Sequence, residues 1–456
     1  MFVDSTNFNA DLMQRDLRVL WHPCTQMKDH ETIDLVPIKS GRGVWLYDFN
    51  GKGYIDAVSS WWVNLFGHAN PTINERVKAQ LDQLEHVILA GFSHEPVVEL
   101  SEALVRITPP GLDKCFFADN GSSAIEAALK MSFHYWLNTG NRQKTKFVTL
   151  DNAYHGETLA ALAVSNVPLY KETYGPLLME SINVPSPDCY HRELGETWEA
   201  YSDRMFRPME QVLRERHTEI CAVMVEPLVQ CAGGMRMHHP VYLKRLREAC
   251  DRYNVHLIAD EIAVGFGRTG TLFACEQANI TPDYMCLSKG ITGGYLPLSV
   301  VMTTQAVYDA FYDAYDSLKA FLHSHSYTGN ALACAAALAT IDIFEQEQVI
   351  ESNQSKIKAM AGHAERFKDH PHVAEVRQTG MILAVEMIKN KKTKTPFPWQ
   401  ERRGFKVFRH ALEQGVLLRP LGNVIYFMPP YVINSKEMQQ MFDAAWSGIQ
   451  VATQDA

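Results

Sequence analysis

Val255-His-Leu-Ile-Ala-Asp260 and, further on, Tyr284-Met-Cys-Leu-Ser-Lys-Gly290 are the stretches whose reading decides the fold. Each is a short apolar run that ends on a residue able to do chemistry, Asp260 in one and Lys289 in the other. The pattern predicts strands at His256–Ala259 and Tyr284–Leu287 and, working outward, at Cys115–Ala118, Phe147–Leu150 and Ala222–Glu226. Between them, Ser123–Leu137 and Val241–Tyr253 carry apolar residues at helical spacing, such as Ile125, Leu129 and Phe133, or Leu243 and Leu246. Short strands alternating with such helices predict an α/β fold around a mainly parallel sheet.

The flanks read differently. Gly41-Arg-Gly43 and Asn50-Gly-Lys-Gly53 punctuate Val44–Phe49 as a hairpin requires. After about residue 335 come a helix, strands near Met381–Met387 and Val424–Met428, and a terminal helix. The expected organisation is a large domain over 61–334 and a small α+β domain assembled from 1–60 and 335–456.

Composition narrows the function. Forty-three Lys plus Arg against 52 Asp plus Glu leave a net charge of −9, so no overall attraction to nucleic acid or to an anionic membrane is expected. The nine cysteines are odd in number and include no Cys-x-x-Cys pair, which points to reduced thiols in a cytoplasmic protein and to no metal site. Residues 1–11 lack a signal-peptide pattern, and the longest apolar run, Ala331–Ala339, falls short of the roughly 20 residues a spanning helix needs.

Gly265-Phe-Gly-Arg-Thr-Gly270 matches the dinucleotide-binding fingerprint, but its context is wrong. The fingerprint follows a strand directly and opens a helix, with an acidic residue about 20 positions later. Here five residues separate it from the strand, and these glycines read as a tight loop near an active site. A nicotinamide dehydrogenase is therefore a distant alternative.

Open α/β sheets bind ligands outside the carboxyl ends of their strands. Collected there, the strands deliver Asp260, Lys289, Asn120-Gly-Ser-Ser123 at a helix start, and Tyr154-His-Gly156. Pyridoxal 5'-phosphate (PLP) needs such a set: a lysine for the Schiff base and an acid that keeps the pyridine nitrogen protonated. Lys289 and Asp260 fit these roles. Gly121 and Ser122 offer backbone donors to the phosphate, with Ser123-x-x-Glu126 reading as a capping box, and Tyr154 can stack on the ring.

With these residues in hand, the chain resembles the fold-type I, class III PLP-dependent aminotransferases. The resemblance rests on Asn120–Lys130, Tyr154-His-Gly-Glu157, Leu257–Gly270, Leu287-Ser-Lys-Gly-Ile-Thr-Gly-Gly294 and Thr328-Gly-Asn330, in order and across nearly the whole chain. It implies a seven-stranded sheet flanked by helices. It also implies a homodimer with shared active sites, in which Ser324-His325-Ser326 reaches the partner's cofactor; His325 and Ser326 would bind phosphate and Ser324 would meet substrate.

Within the class, Trp21-His-Pro-Cys-Thr-Gln-Met27, Ser59-Ser-Trp-Trp62, Gln230–Met237 and Leu418-Arg-Pro-Leu-Gly422 resemble members that aminate 8-amino-7-oxononanoate, with S-adenosylmethionine as donor, in biotin synthesis. This implies an apolar wall from Trp61 and Trp62 and a bidentate grip by Arg419 on the acceptor's carboxylate. The aromatic pair also suits a sulfonium donor. Gly290–Pro297 and His323–Asn330 resemble relatives that use lysine instead, so both donors stand, and a class III enzyme for ornithine, 4-aminobutyrate or a diamine is the further alternative. The chain departs from the pattern at Cys24, where the family carries a substrate-touching tyrosine, and at Ser324-His325-Ser326 in place of Gly-Pro-Thr.

Overall fold

The computed structural model describes residues 5–456, with side chains from Ala10 onward. Seven apolar runs pair into one sheet: β1 (Lys114–Ala118), β2 (Lys146–Leu150), β3 (Ile182–Val184), β4 (Ile220–Val225), β5 (His256–Asp260), β6 (Tyr284–Leu287) and β7 (Ser299–Thr303). Their spatial order is β1-β7-β6-β5-β4-β2-β3. Only β7 runs against its neighbours, pairing antiparallel with both β6 and β1. Strands β4 to β7 are buried at every position, as expected of a sheet covered on both faces. The helices α1 (Gly121–Asn138) and α2 (Pro240–Tyr253) follow β1 and β4 in the chain and pack on the sheet. The α/β reading and the seven strands thus hold.

Helix α1 corrects one local expectation. Ser123 and Glu126 form no capping box, because the helix starts two residues earlier and the Asn120 side chain accepts the Ser123 N–H at 3.1 Å. Glu126 instead accepts the N–H groups of Ala160 and Ala161 at 2.9 and 3.3 Å, at the start of the short helix Leu159–Ala163.

The chain ends meet by strand pairing. Ile38–Arg42, Trp45–Asp48 and Gly53–Asp56 form an antiparallel meander, and Val416–Leu417 adds in parallel to Gly53–Asp56. Ile382–Met387 pairs with Val424–Phe427 as expected, and also with Val373–Thr379, which the sequence reading missed. Charged residues made that strand look like a surface segment. Its Arg377 is nevertheless buried, donating to the carbonyls of Gly234 and Met235 at 2.7 Å and to Glu386 at 2.8 Å. Among the described residues no helix is long and apolar enough to cross a membrane.

Candidate active site

The carboxyl ends of β1, β2, β4, β5 and β6 open into a cavity of about 230 Å³ lined by Gly121, Ser122, Tyr154, Asp260, Lys289 and Trp62, among others. The sequence-derived set from the central sheet is therefore brought together. Sequence reasoning missed Glu226 and the apolar strip Ile262-Ala263-Val264 on the same wall. The signal for the strip was its place directly after Asp260; Glu226 had read as the end of β4.

Asp260 accepts the Ile262 N–H at 3.1 Å and lies 2.7 Å from His155 Nδ1. The other nitrogen of His155 is buried and has no hydrogen-bond partner among the described residues. Glu226 accepts from the backbone N–H groups of Tyr154 and Cys231 at 2.9 and 3.0 Å, which ties two loops to the end of β4. Burial, with the nearby Asp260, pushes its carboxyl well above the usual range.

Lys289 leaves β6 in the left-handed region, at φ +47°. Its Nζ stands 4.8 Å from the Trp62 ring centroid, and burial holds its pKa below that of an ordinary lysine, against the opposing pull of Asp260. That depression favours the neutral, nucleophilic amine.

Trp62 is set by an unusual turn. Ser59, Ser60, Trp61 and Trp62 all have positive φ, between 46° and 75°. Such a run costs roughly 1–2 kcal/mol per residue and needs external support. Asp56 provides part of it, accepting from Ser60 Oγ at 2.7 Å and Ser60 N at 2.9 Å, and Ser59 Oγ donates to the Met428 carbonyl at 2.7 Å. The turn sends the two indoles apart. Trp62 is buried, donating to Tyr426 Oη at 3.0 Å, whereas Trp61 is 42% exposed with the Arg419 guanidinium 5.3 Å from its ring centroid.

The glycine fingerprint serves this turn and is no dinucleotide site. Its Arg268 is fully buried and donates to the carbonyls of Pro429 at 2.9 Å, Asn64 at 3.2 Å and Trp62 at 3.4 Å.

Trp61, Arg419 and Cys24 are exposed and outside the cavity lining; Cys24 influences Tyr154, and both Cys24 and Arg419 influence Tyr170, so this side of the cavity is termed its mouth. Cys24 is exposed, at φ +49°. Burial and the charge of Glu157 raise its thiol pKa, with Arg419 opposing. Ser324, His325 and Ser326 are also outside the lining. His325 lies 3.7 Å from Asp119, and the Ser326 carbonyl lies 2.7 Å from His86. Within one subunit the structure thus does not bring this segment to the cavity.

The cavity fits PLP on its own geometry. The N–H groups of Ser123 and Ala124 are taken by Asn120, which leaves those of Gly121 and Ser122 to an anion at the start of an 18-residue helix. A Cβ on Gly156 would stand 2.1 Å from Ser122 Oγ, so the loop closes on this cradle only as glycine. Among the described residues no cluster of three or more His, Cys, Asp or Glu could hold a metal.

Residues 26–446 match the family model described as aminotransferase class-III. The chain belongs to the class-III aminotransferases, which are PLP-dependent enzymes. It is 47% identical to the adenosylmethionine-8-amino-7-oxononanoate aminotransferase of Helicobacter pylori, over 95% of this chain and 96% of the relative. Identity to the enzyme of the same name from Geobacter sulfurreducens is 44%, over 96% and 97%. Among solved structures, the enzyme of that name from Methanocaldococcus jannaschii superposes with a TM-score of 0.92 at 37% identity, covering 97% of this chain and 99% of the other. An omega transaminase from Pseudomonas jessenii in complex with PMP gives the same TM-score at 30% identity, covering 97% and 98%.

Proposed function

We propose that this chain transfers an amino group from S-adenosylmethionine to 8-amino-7-oxononanoate, giving 7,8-diaminononanoate in biotin biosynthesis. The carrying observation is the pairing of Arg419 with Trp61 at the mouth of the Lys289 cavity. A chain that is apolar along its length and anionic at its far end is complementary to an indole wall with a guanidinium beside it. The names of the relatives support the same acceptor and donor.

Gly121 and Ser122 would hold the phosphate of PLP, Tyr154 would cover the ring, and Asp260 would face the pyridine nitrogen. When bound, PLP supplies an electron-withdrawing ring and an aldehyde that takes up the amino group. Asp260 stays oriented because His155 and the Ile262 N–H hold its two oxygens. Lys289, half-buried with its Nζ over the Trp62 ring, has a lowered pKa and would carry the proton at Nζ. Apolar Ile262 and Val264 keep water from that proton.

We read the assembly as a homodimer in the cytoplasm with shared sites. Support comes from the Ser324-His325-Ser326 segment, which misses its own cavity and is flanked in the sequence by exposed Tyr312, Tyr315, Leu318, Leu322 and Tyr327. The supporting frame is a large domain over 61–334 and a small one from 1–60 and 335–456. The nine unpaired thiols suit a reducing compartment.

The test is a donor panel of S-adenosylmethionine, lysine, ornithine and 4-aminobutyrate against oxononanoate, with diaminononanoate read by mass spectrometry. Product with S-adenosylmethionine is expected. Product with lysine alone would change the donor, and turnover of ornithine or 4-aminobutyrate with none of oxononanoate would reject the assignment.

A further inference from the structure

Tyr170 has no role in the site as described so far. It sits on the four-residue helix Pro168–Lys171, whose Lys171 donates to the carbonyls of Ala163 at 3.1 Å and Ser165 at 2.8 Å. This anchor fixes the Tyr170 ring edge-on against Tyr154, with centroids 5.5 Å apart and planes at 61°. The two phenols then differ in one respect. Tyr154 Oη donates to Glu157 at 2.8 Å, whereas the Tyr170 hydroxyl, only partly buried, has no hydrogen-bond partner among the described residues. Cys24 and Arg419 both lie close enough for their charges to be felt at that hydroxyl, and burial keeps it protonated.

We propose that Tyr170 is a substrate-binding residue of this aminotransferase, its free hydroxyl hydrogen-bonding a polar group of the oxononanoate acceptor one ring outward from Tyr154. A phenol hydroxyl that no protein group occupies is open to donate to, or accept from, a ligand that takes the place of water. Its neighbours are the residues read above as the mouth, so the assignment rests on the proposed function for the identity of the ligand.

The experiment compares Tyr170→Phe with the wild-type holoenzyme. Phenylalanine keeps the ring contact with Tyr154 and removes only the hydroxyl. We expect kcat/KM for oxononanoate to fall about tenfold, the scale of one hydrogen bond, mostly through KM, with cofactor absorbance and Tm unchanged. A fall of less than about twofold in Tyr170→Phe, or a loss of Tm or cofactor absorbance in parallel with kcat, would overturn the role. If the wild type itself ignores oxononanoate, the functional reading fails, and the same variant measured on the acceptor it does use still decides Tyr170.

Discussion

The cavity at the strand ends and the mouth above it are built from different kinds of sequence. Asp260, Lys289, Gly121 and Tyr154 each lie within a few residues of a buried strand of one sheet, so their mutual positions follow from strand pairing. Cys24, Trp61, Tyr170 and Arg419 come from four distant stretches and are held by a left-handed turn, a four-residue helix and loops. In the first group Asp260 is buried and Gly121, Tyr154 and Lys289 are half-buried, with desolvation the largest influence on Tyr154 and Lys289; the second is exposed or half-buried, with a guanidinium as its main charge. The inner residues are thus placed by the sheet, while the outer ones are placed by elements freer to vary.

Substitutions should separate the two regions. Lys289→Ala, in the inner cavity, is expected to remove at least about a thousandfold of turnover with any amine, and borohydride should then fix no cofactor to the chain; residual activity within tenfold would break the division. Asp260→Asn keeps the shape and removes the charge, so about a hundredfold loss is expected for every donor, read as kcat. At the mouth, Arg419→Ala should raise KM for oxononanoate about tenfold or more while leaving kcat for the donor half-reaction nearly intact, measured by stopped-flow absorbance.

The smallest effect concerns pH. Lys289 has its pKa lowered from the ordinary 10.5, so its neutral amine is present at pH values where an exposed lysine is still charged. Capture of PLP by the apoenzyme should therefore slow as pH falls through a pKa below 10.5, and Trp62→Ala, which admits water to Nζ, should move that limb upward. A limb unmoved by Trp62→Ala would show that the indole is not the source of the burial.

Legibility in the sequence follows the same division. Asp260 and Lys289 at the ends of β5 and β6 are legible only in conjunction with Gly121-Ser122 and Tyr154, because an acid or a lysine after a single strand is more often a cap or a surface residue. Glu226 was harder, since Glu-Pro at a strand end is also an ordinary stop; only the fold brings the N–H groups of Tyr154 and Cys231 to it. Tyr170 was invisible, because Pro168-Leu-Tyr-Lys171 carries no periodicity and its contact with Tyr154 spans a loop. The capping box failed for a local reason: Asn120 outcompeted Ser123 for the helix start. The dinucleotide fingerprint misled in the other direction, its arginine being spent on the carbonyls behind Trp62.

The pairing of Val416–Leu417 with Gly53–Asp56 bears on how the enzyme is made. The Trp61 turn starts three residues after Asp56, and its Ser59 is held by Met428. A chain emerging from the ribosome carries Trp61 and its Asp56 support early but lacks the Met428 carbonyl that holds Ser59 until more than 350 further residues have been added. Closing so long a loop is slow compared with forming neighbouring strands. During synthesis, the turn that carries Trp61 is therefore set after the central strands that position Asp260 and Lys289.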